Sequence, residues 1–228
     1  MDRFGICASC VGNDLSWLRR GGGGGGSSTP AAKPTAEGVY GGALTGSAST
    51  AFQLLVLENG EFWPMYGAMT ASVFGVAGFF QSSGTSNNGA FTATDAKDLG
   101  VNPAVTSPIS ATYNATAKTI SGTVFAPGGP VTFSGGPIAG STYDYNAPAI
   151  LTSVSGSWVT TSLTGGSVAV NIASTGTFSA VSSSGCNFSG TVTPLPSGKN
   201  VFTVSLTFGA APCALPGQSA TGLRWLIR

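Results

Sequence analysis

Two carboxylate pairs, Glu58 with Glu61 and Asp95 with Asp98, come nearest in type and spacing to a reacting centre. Paired carboxylates can divide general-acid and general-base work when their surroundings push their pKa values apart. Glu58 and Glu61, however, flank Asn59-Gly60, a turn dipeptide, and their solvation by a turn is explanation enough. Asp95 and Asp98 lie in Thr94-Asp95-Ala96-Lys97-Asp98-Leu99-Gly100, where Thr94 or Asp95 can cap a single helical turn and Gly100 can end it. A carboxylate-dependent hydrolase therefore ranks behind a non-enzymatic protein. Serines are plentiful, but the chain contains no histidine to activate one and no G-x-S-x-G elbow. The same absence removes the commonest metal ligand, and neither a cofactor nor a metal site is expected.

The four cysteines form two unlike pairs. Cys7 and Cys10 have C-x-x-C spacing, but a redox pair needs a helix N-terminus in a βαβ setting and a closed zinc site needs two further ligands. Cys186 and Cys213 sit within a β-patterned region. A bridge between them would tie the strand at Cys186 to the loop before the last strand and stabilise by roughly 3 kcal/mol through loop closure; two buried thiols are the alternative. A bridge implies an oxidising compartment.

The elements that must position these residues are extended. Six glycines, Gly21 to Gly26, run into Ser27-Ser28-Thr29-Pro30 and Ala31-Ala32-Lys33-Pro34. Such a run loses too much backbone entropy on ordering to join a core, so residues 1–36 are expected to be a disordered segment ending in a flexible tether. From residue 37 to 228 the pattern is that of one antiparallel β-domain. Phe52 to Leu57 reads as a strand, and Asn59-Gly60 turns it into Phe62-Trp63, the best hairpin in the chain and one suited to a type I′ turn. Val73 to Phe80 continues as a glycine-rich strand, and Asn87-Asn88-Gly89 turns into Ala90 to Ala93. Ile109 to Asn114, Thr119 to Phe125 and Val131 to Phe133 follow, then a loop over 135–148. The last third reads as strands over 154–161, 167–172, 176–181, 186–192, 201–208 and 221–227. In Val201 to Phe208, Phe202, Val204, Leu206 and Phe208 alternate with Thr203, Ser205 and Thr207, which buries one face and wets the other. A weak internal echo links Gly38-Val39-Tyr40 and the turn before Phe62 to Gly156-Ser157-Trp158 and the turn before Phe178; any meander repeats turn glycines and strand aromatics, so chance similarity competes with a true repeat. The fold class is thus all-β: an antiparallel barrel or a barrel-like curled sandwich.

Charge narrows the function. Nine basic and eight acidic residues give a formal net charge of +1, too weak a field to gather nucleic acid. Hydrophobic residues at 42% and 13 Phe are enough to bury a core. Contacts to a protein partner would come from Thr142-Tyr143-Asp144-Tyr145-Asn146, because tyrosine offers large contact area with few rotors to freeze; packing of these tyrosines over a barrel end is the competing reading. An integral outer-membrane barrel is a further alternative, disfavoured by Ser and Thr where a lipid band would sit and by a last residue, Arg228, that is not aromatic.

The stretch Glu37-Gly38-Val39-Tyr40-Gly41-Gly42, with Leu55 to Trp63, Tyr66-Gly67, Gly185 to Val192, Asn200-Val201-Phe202 and Cys213-Ala214-Leu215, resembles the β-barrel domains of bacterial surface lipoproteins of the transferrin-binding and factor-H-binding type. The resemblance implies a monomeric, exported, non-enzymatic barrel held at the outer membrane by a lipidated N-terminus. It brings no catalytic residue. Neither Cys7 nor Cys10 follows an apolar signal, and Arg19-Arg20 stand where the acylated cysteine's motif belongs. An anchor not encoded here, upstream of a misassigned start, is the expectation.

Overall fold

The computed structural model describes residues 35–71, 73–163 and 165–224. The glycine tether, the Cys7–Cys10 pair and residues 225–227 of the last expected strand lie outside them. Among the described residues seventeen strands fall into two antiparallel sheets.

The first sheet holds β1 (Gly38–Thr45), β2 (Ala51–Val56), β3 (Glu61–Thr70), β4 (Val73–Ser83), β5 (Thr85–Asn87), β6 (Ala90–Ala93), β7 (Lys97–Asp98), β8 (Val105–Thr106), β9 (Ile109–Asn114), β10 (Thr119–Ala126) and β11 (Gly129–Gly136). Several of these are pieces of longer ribbons. β4 and β5 are separated by Gly84 alone, and together they face β6 and β7, with Thr85 opposite Thr92 and Phe80 opposite Asp98. β6 and β7 in turn face β9 and β8. β1 pairs with β2 on one side and with β11 on the other, so the meander curls round and closes. The interior is apolar: Tyr40, Phe52, Leu54, Val56, Phe62, Phe91, Ile109 and Ile120 form one buried cluster. Outside it stand hydroxyls and amides, as on β9, where Ile109, Ala111 and Tyr113 are buried and Ser110, Thr112 and Asn114 exposed.

The second sheet is a six-stranded curled meander: β12 (Gly156–Thr161), β13 (Ser167–Ile172), β14 (Thr177–Ser182), β15 (Asn187–Pro194), β16 (Phe202–Phe208) and β17 (Ser219–Arg224). It surrounds its own core of Val170, Ile172, Phe178, Phe188, Phe202, Val204 and Leu206. A third cluster, Leu55, Leu57, Tyr145 and Val201 with Val39, Trp63, Tyr143, Leu195 and Leu223, lies between the two sheets. The expected all-β, curled antiparallel architecture is what the chain adopts.

Two local expectations are corrected. No helical turn forms over 95–99: Lys97 and Asp98 are strand β7, paired with both β4 and β8. Of the two candidate caps, Asp95 is used elsewhere, accepting from the Ser82 hydroxyl (2.5 Å), and Asp98 within the segment accepts from the Tyr66 hydroxyl (2.8 Å). Ladder pairing on both sides outweighs one capped turn. At Asn59-Gly60 only Gly60 has positive φ (85°). The Gly60 amide bonds to the Leu57 carbonyl and the Leu57 amide to the Glu61 carbonyl, a longer loop with a bulge. The two-residue turn with positive φ at both centres is Asn88-Gly89 (49° and 83°), between Asn87 and Ala90.

The residues of the internal echo occupy matching places in the two sheets. Gly38 opens β1 opposite Val56, and Gly156 opens β12 opposite Ile172. Two residues on, the aromatic reaches back four positions: the Tyr40 hydroxyl donates to the Ala36 carbonyl (2.7 Å) and the Trp158 indole to the Val154 carbonyl (2.9 Å). Gly60 and Gly176 (φ 85° and 88°) end equivalent loops, and their carbonyls accept from Gly84 and Val192. A methyl on either glycine would come within 2.2 Å of the Gly84 oxygen or 2.3 Å of the Val192 oxygen. Gly60→Ala and Gly176→Ala are therefore each expected to lose at least about 1–3 kcal/mol in urea denaturation. Asn, which tolerates the dihedral but not the contact, should not rescue either site.

Candidate functional site

The loop after β11 fastens the sheets together. Tyr145 is buried, and its hydroxyl donates to Glu58 Oε2 (2.9 Å) at the β2–β3 turn of the barrel. Lys199, in the β15–β16 turn, places its ammonium 4.9 Å from the centre of the Tyr145 ring, donates to Asn146 Oδ1 (2.8 Å) and pairs with Glu37 (3.6 Å). Tyr143 donates to the Asn200 carbonyl, and the Asn200 amide group returns a bond to the Asp144 carbonyl (3.1 Å). The sequence reads Tyr143, Asp144, Tyr145 and Asn146 either as a contact loop or as tyrosines packed over a barrel end. In the fold the two tyrosines turn inward, into the cluster between the sheets, while Asp144 and Asn146 face solvent. Their partners Glu58, Lys199 and Glu37 carried no sequence signal of pairing, though Lys199 is notable as the first charge after Asp144.

Burial raises the Tyr145 hydroxyl well above the ordinary tyrosine range, and its bond to Glu58 adds to this. Burial alone would raise the Glu58 carboxyl too. Hydrogen bonds from its own backbone amide, Ser197 and Tyr145, together with the charge of Lys199, outweigh it and hold the carboxyl below its ordinary 4.5. A depressed folded-state pKa gives stability that is present above 4.5 and lost as pH falls through the lower folded value. Glu58→Gln is thus expected to flatten the fall in melting temperature below about pH 4.5, measured by circular dichroism.

Beside the clamp runs a groove of about 580 Å³ between β3, β4 and the β6–β7 segment on one side and β16 and β17 on the other. Glu61, Trp63, Asp95, Lys97, Thr203 and Thr221 are among its lining residues. Lys97 donates to Thr106 Oγ1 (2.5 Å) and Asp95 accepts from Ser82. The Trp63 indole nitrogen is buried and has no hydrogen-bond partner among the described residues. The groove breaks up both carboxylate pairs read from the sequence. Glu61 and Asp95 line it, whereas Glu58 belongs to the clamp and Asp98 to Tyr66.

The second paired feature forms as expected. Cys186, before β15, is bridged to Cys213, in the β16–β17 loop. No group of three side chains able to hold a metal ion occurs among the described residues. No family model, curated protein or solved structure matches the chain.

Proposed function

We propose that this chain is a non-enzymatic binding or display module, exported and tethered through its N-terminus at the cell surface. The observation that carries the reading is how the fold spends its few charged groups. Glu58, Glu37 and Lys199 lock the two sheets together, Asp98 holds Tyr66, and what remains is a groove that gathers Glu61, Asp95 and Lys97 and a second sheet whose first four strands carry no charge. Contact surface is then groove and sheet instead of the tyrosines of the 142–146 loop. The Cys186–Cys213 bridge agrees with an oxidising compartment. The sequence resemblance to transferrin-binding and factor-H-binding lipoprotein barrels supports an outer-membrane location.

An integral outer-membrane barrel reads less well, since such a barrel turns apolar side chains outward to lipid and this one buries them inside. A hydrolase is favoured only by the meeting of Glu61 and Asp95 in one groove, and Asp95 already accepts from Ser82. Antibody labelling of intact cells, with carbonate extraction and unheated gels of the membrane fraction, tests the reading. Surface labelling without a heat-dependent gel shift is expected. A cytosolic protein with Cys186 and Cys213 reduced would overturn it.

A further inference from the structure

We propose that the free edge of β12 accepts an extended strand from a partner polypeptide, an uncharged strand that alternates apolar with Ser or Thr residues. The proposal deepens the binding-module reading and rests on it, for it names the class of partner.

The internal repeat identifies the edge. β12, β13 and β14 repeat β1, β2 and β3, and β15, β16 and β17 continue the same up-and-down order as the next three ribbons of the barrel. In the barrel two more strands follow, β10 and β11, and β11 closes the sheet onto β1. Among the described residues the second sheet has no counterpart of either, and β12 pairs only with β13.

Backbone phase shows which groups face the seam. The Ser162 amide bonds to the Gly166 carbonyl (2.7 Å), and hydrogen-bonded positions in an antiparallel pair recur every second residue. Thr160 and Trp158 therefore direct their backbone at β13, and Ser157, Val159 and Thr161 direct theirs away from it. The Ser183 amide bonded to the Ser167 carbonyl (2.7 Å) fits the same phase on the next strand. The barrel positions equivalent to Val159 and Thr161 are Gly41 and Ala43, which stand opposite Gly136 and Ser134 of β11. The repeat thus shows what covers this edge when it is covered: an antiparallel strand that is itself half of a hairpin.

Among the described residues β12 carries none of the usual guards of a sheet edge. β12, Gly156-Ser157-Trp158-Val159-Thr160-Thr161, has no charge and no proline, and its register with β13 is unbroken by a bulge. No Asp, Glu, Lys or Arg occurs between Asp144 and Lys199, so β12 to β15 offer a charged incoming strand no counter-charge of their own. On the outer face Val159 is 62% and Val181 42% exposed, facing each other across Ala169, a shallow apolar strip beside the seam. Backbone pairing would supply the binding and alternate side chains the selectivity.

A synthetic peptide of residues 119–136, the chain's own β10–β11 hairpin, is the probe, added to the full-length protein and followed by amide hydrogen exchange. The expected result is rapid exchange at Ser157, Val159 and Thr161 in the free protein, slowed about tenfold or more at saturating peptide, with Gly41 and Ala43 unchanged. The same peptide N-methylated along its pairing edge should give no protection. Three outcomes would overturn the proposal: no slowing, equal slowing by the N-methylated peptide, or three amides already protected in the free protein. The last would mean that the chain itself or a second copy covers the edge, and sedimentation would tell the two apart. A cytosolic location would overturn the surface reading and leave the exchange result standing; failure of the peptide leaves the location untouched.

Discussion

Phe62→Ala is expected to destabilise the protein by about 3–5 kcal/mol, the range for removing a large aromatic from a core that cannot collapse around the gap. Phe62 is 1% exposed on β3, and its ring meets that of Phe91 on β6 edge to face, with centroids 5.3 Å apart and planes at 89°. These two strands lie on either side of the β4–β5 ribbon, so the contact crosses the interior instead of running along a single ladder. Phe91 also fills the space under Gly84, where a methyl would stand 2.1 Å from its ring. Loss of the Phe62 ring therefore leaves a void bounded by main chain on one side, which relaxes poorly. Urea denaturation measures the loss, and a double-mutant cycle with Phe91→Leu should return a coupling of about 0.5–1.5 kcal/mol for the edge-to-face pair. A Phe62→Ala loss below about 1 kcal/mol would mean that the barrel interior repacks freely.

Removal of the Cys186–Cys213 bridge is the second large effect. The cysteines are 27 residues apart, and closing a loop of that length corresponds to about 3–4 kcal/mol on the chain-entropy account. The loop encloses β15 and β16, the two strands that carry Phe188, Val192, Phe202, Val204 and Leu206 into the second core. Comparing the Cys186→Ala/Cys213→Ala variant with the oxidised protein in denaturant should show a loss of that size, and added dithiothreitol should reproduce it in the native sequence alone. A variant as stable as the oxidised protein would show that the second sheet's own packing already confines the loop.

Much of the strand grammar was legible because it depends on near neighbours. Alternation from Phe202 to Phe208 announced a half-buried strand, and β16 buries Phe202, Val204 and Leu206 as that pattern requires. The turn dipeptides were legible as turns but not as types. Asn59-Gly60 and Asn88-Gly89 are nearly the same words, yet only the second has both residues at positive φ, since the pairing of the flanking strands chooses the loop length. The helical turn at 95–99 failed for a related reason: its capping signals are local, while the strands that draw Lys97 and Asp98 into a ladder are distant, Phe80 and Gln81 standing opposite on one side and Val105 and Thr106 on the other. The carboxylate pairs failed as pairs because adjacency in the chain does not make adjacency in space. Successive residues of an extended segment leave the backbone on opposite faces, so residues three apart diverge, and residues beside a turn lie in different ribbons.

By itself, then, the sequence determined the class of the fold and most of the strands with their buried faces, and it offered the repeat and the Cys186–Cys213 bridge as one of two readings each. Those properties follow from period-two burial, from glycine's tolerance of positive φ and from the scarcity of charge, all of which act over a few residues. Only the tertiary structure decided which ribbons close into a barrel and which stay open. It alone turned Tyr143 and Tyr145 inward and brought Glu61 and Asp95 to one groove. These outcomes depend on contacts between residues far apart in the chain, such as Tyr145 with Glu58 and Phe62 with Phe91, and no local pattern of residue types encodes which distant partner a side chain will meet.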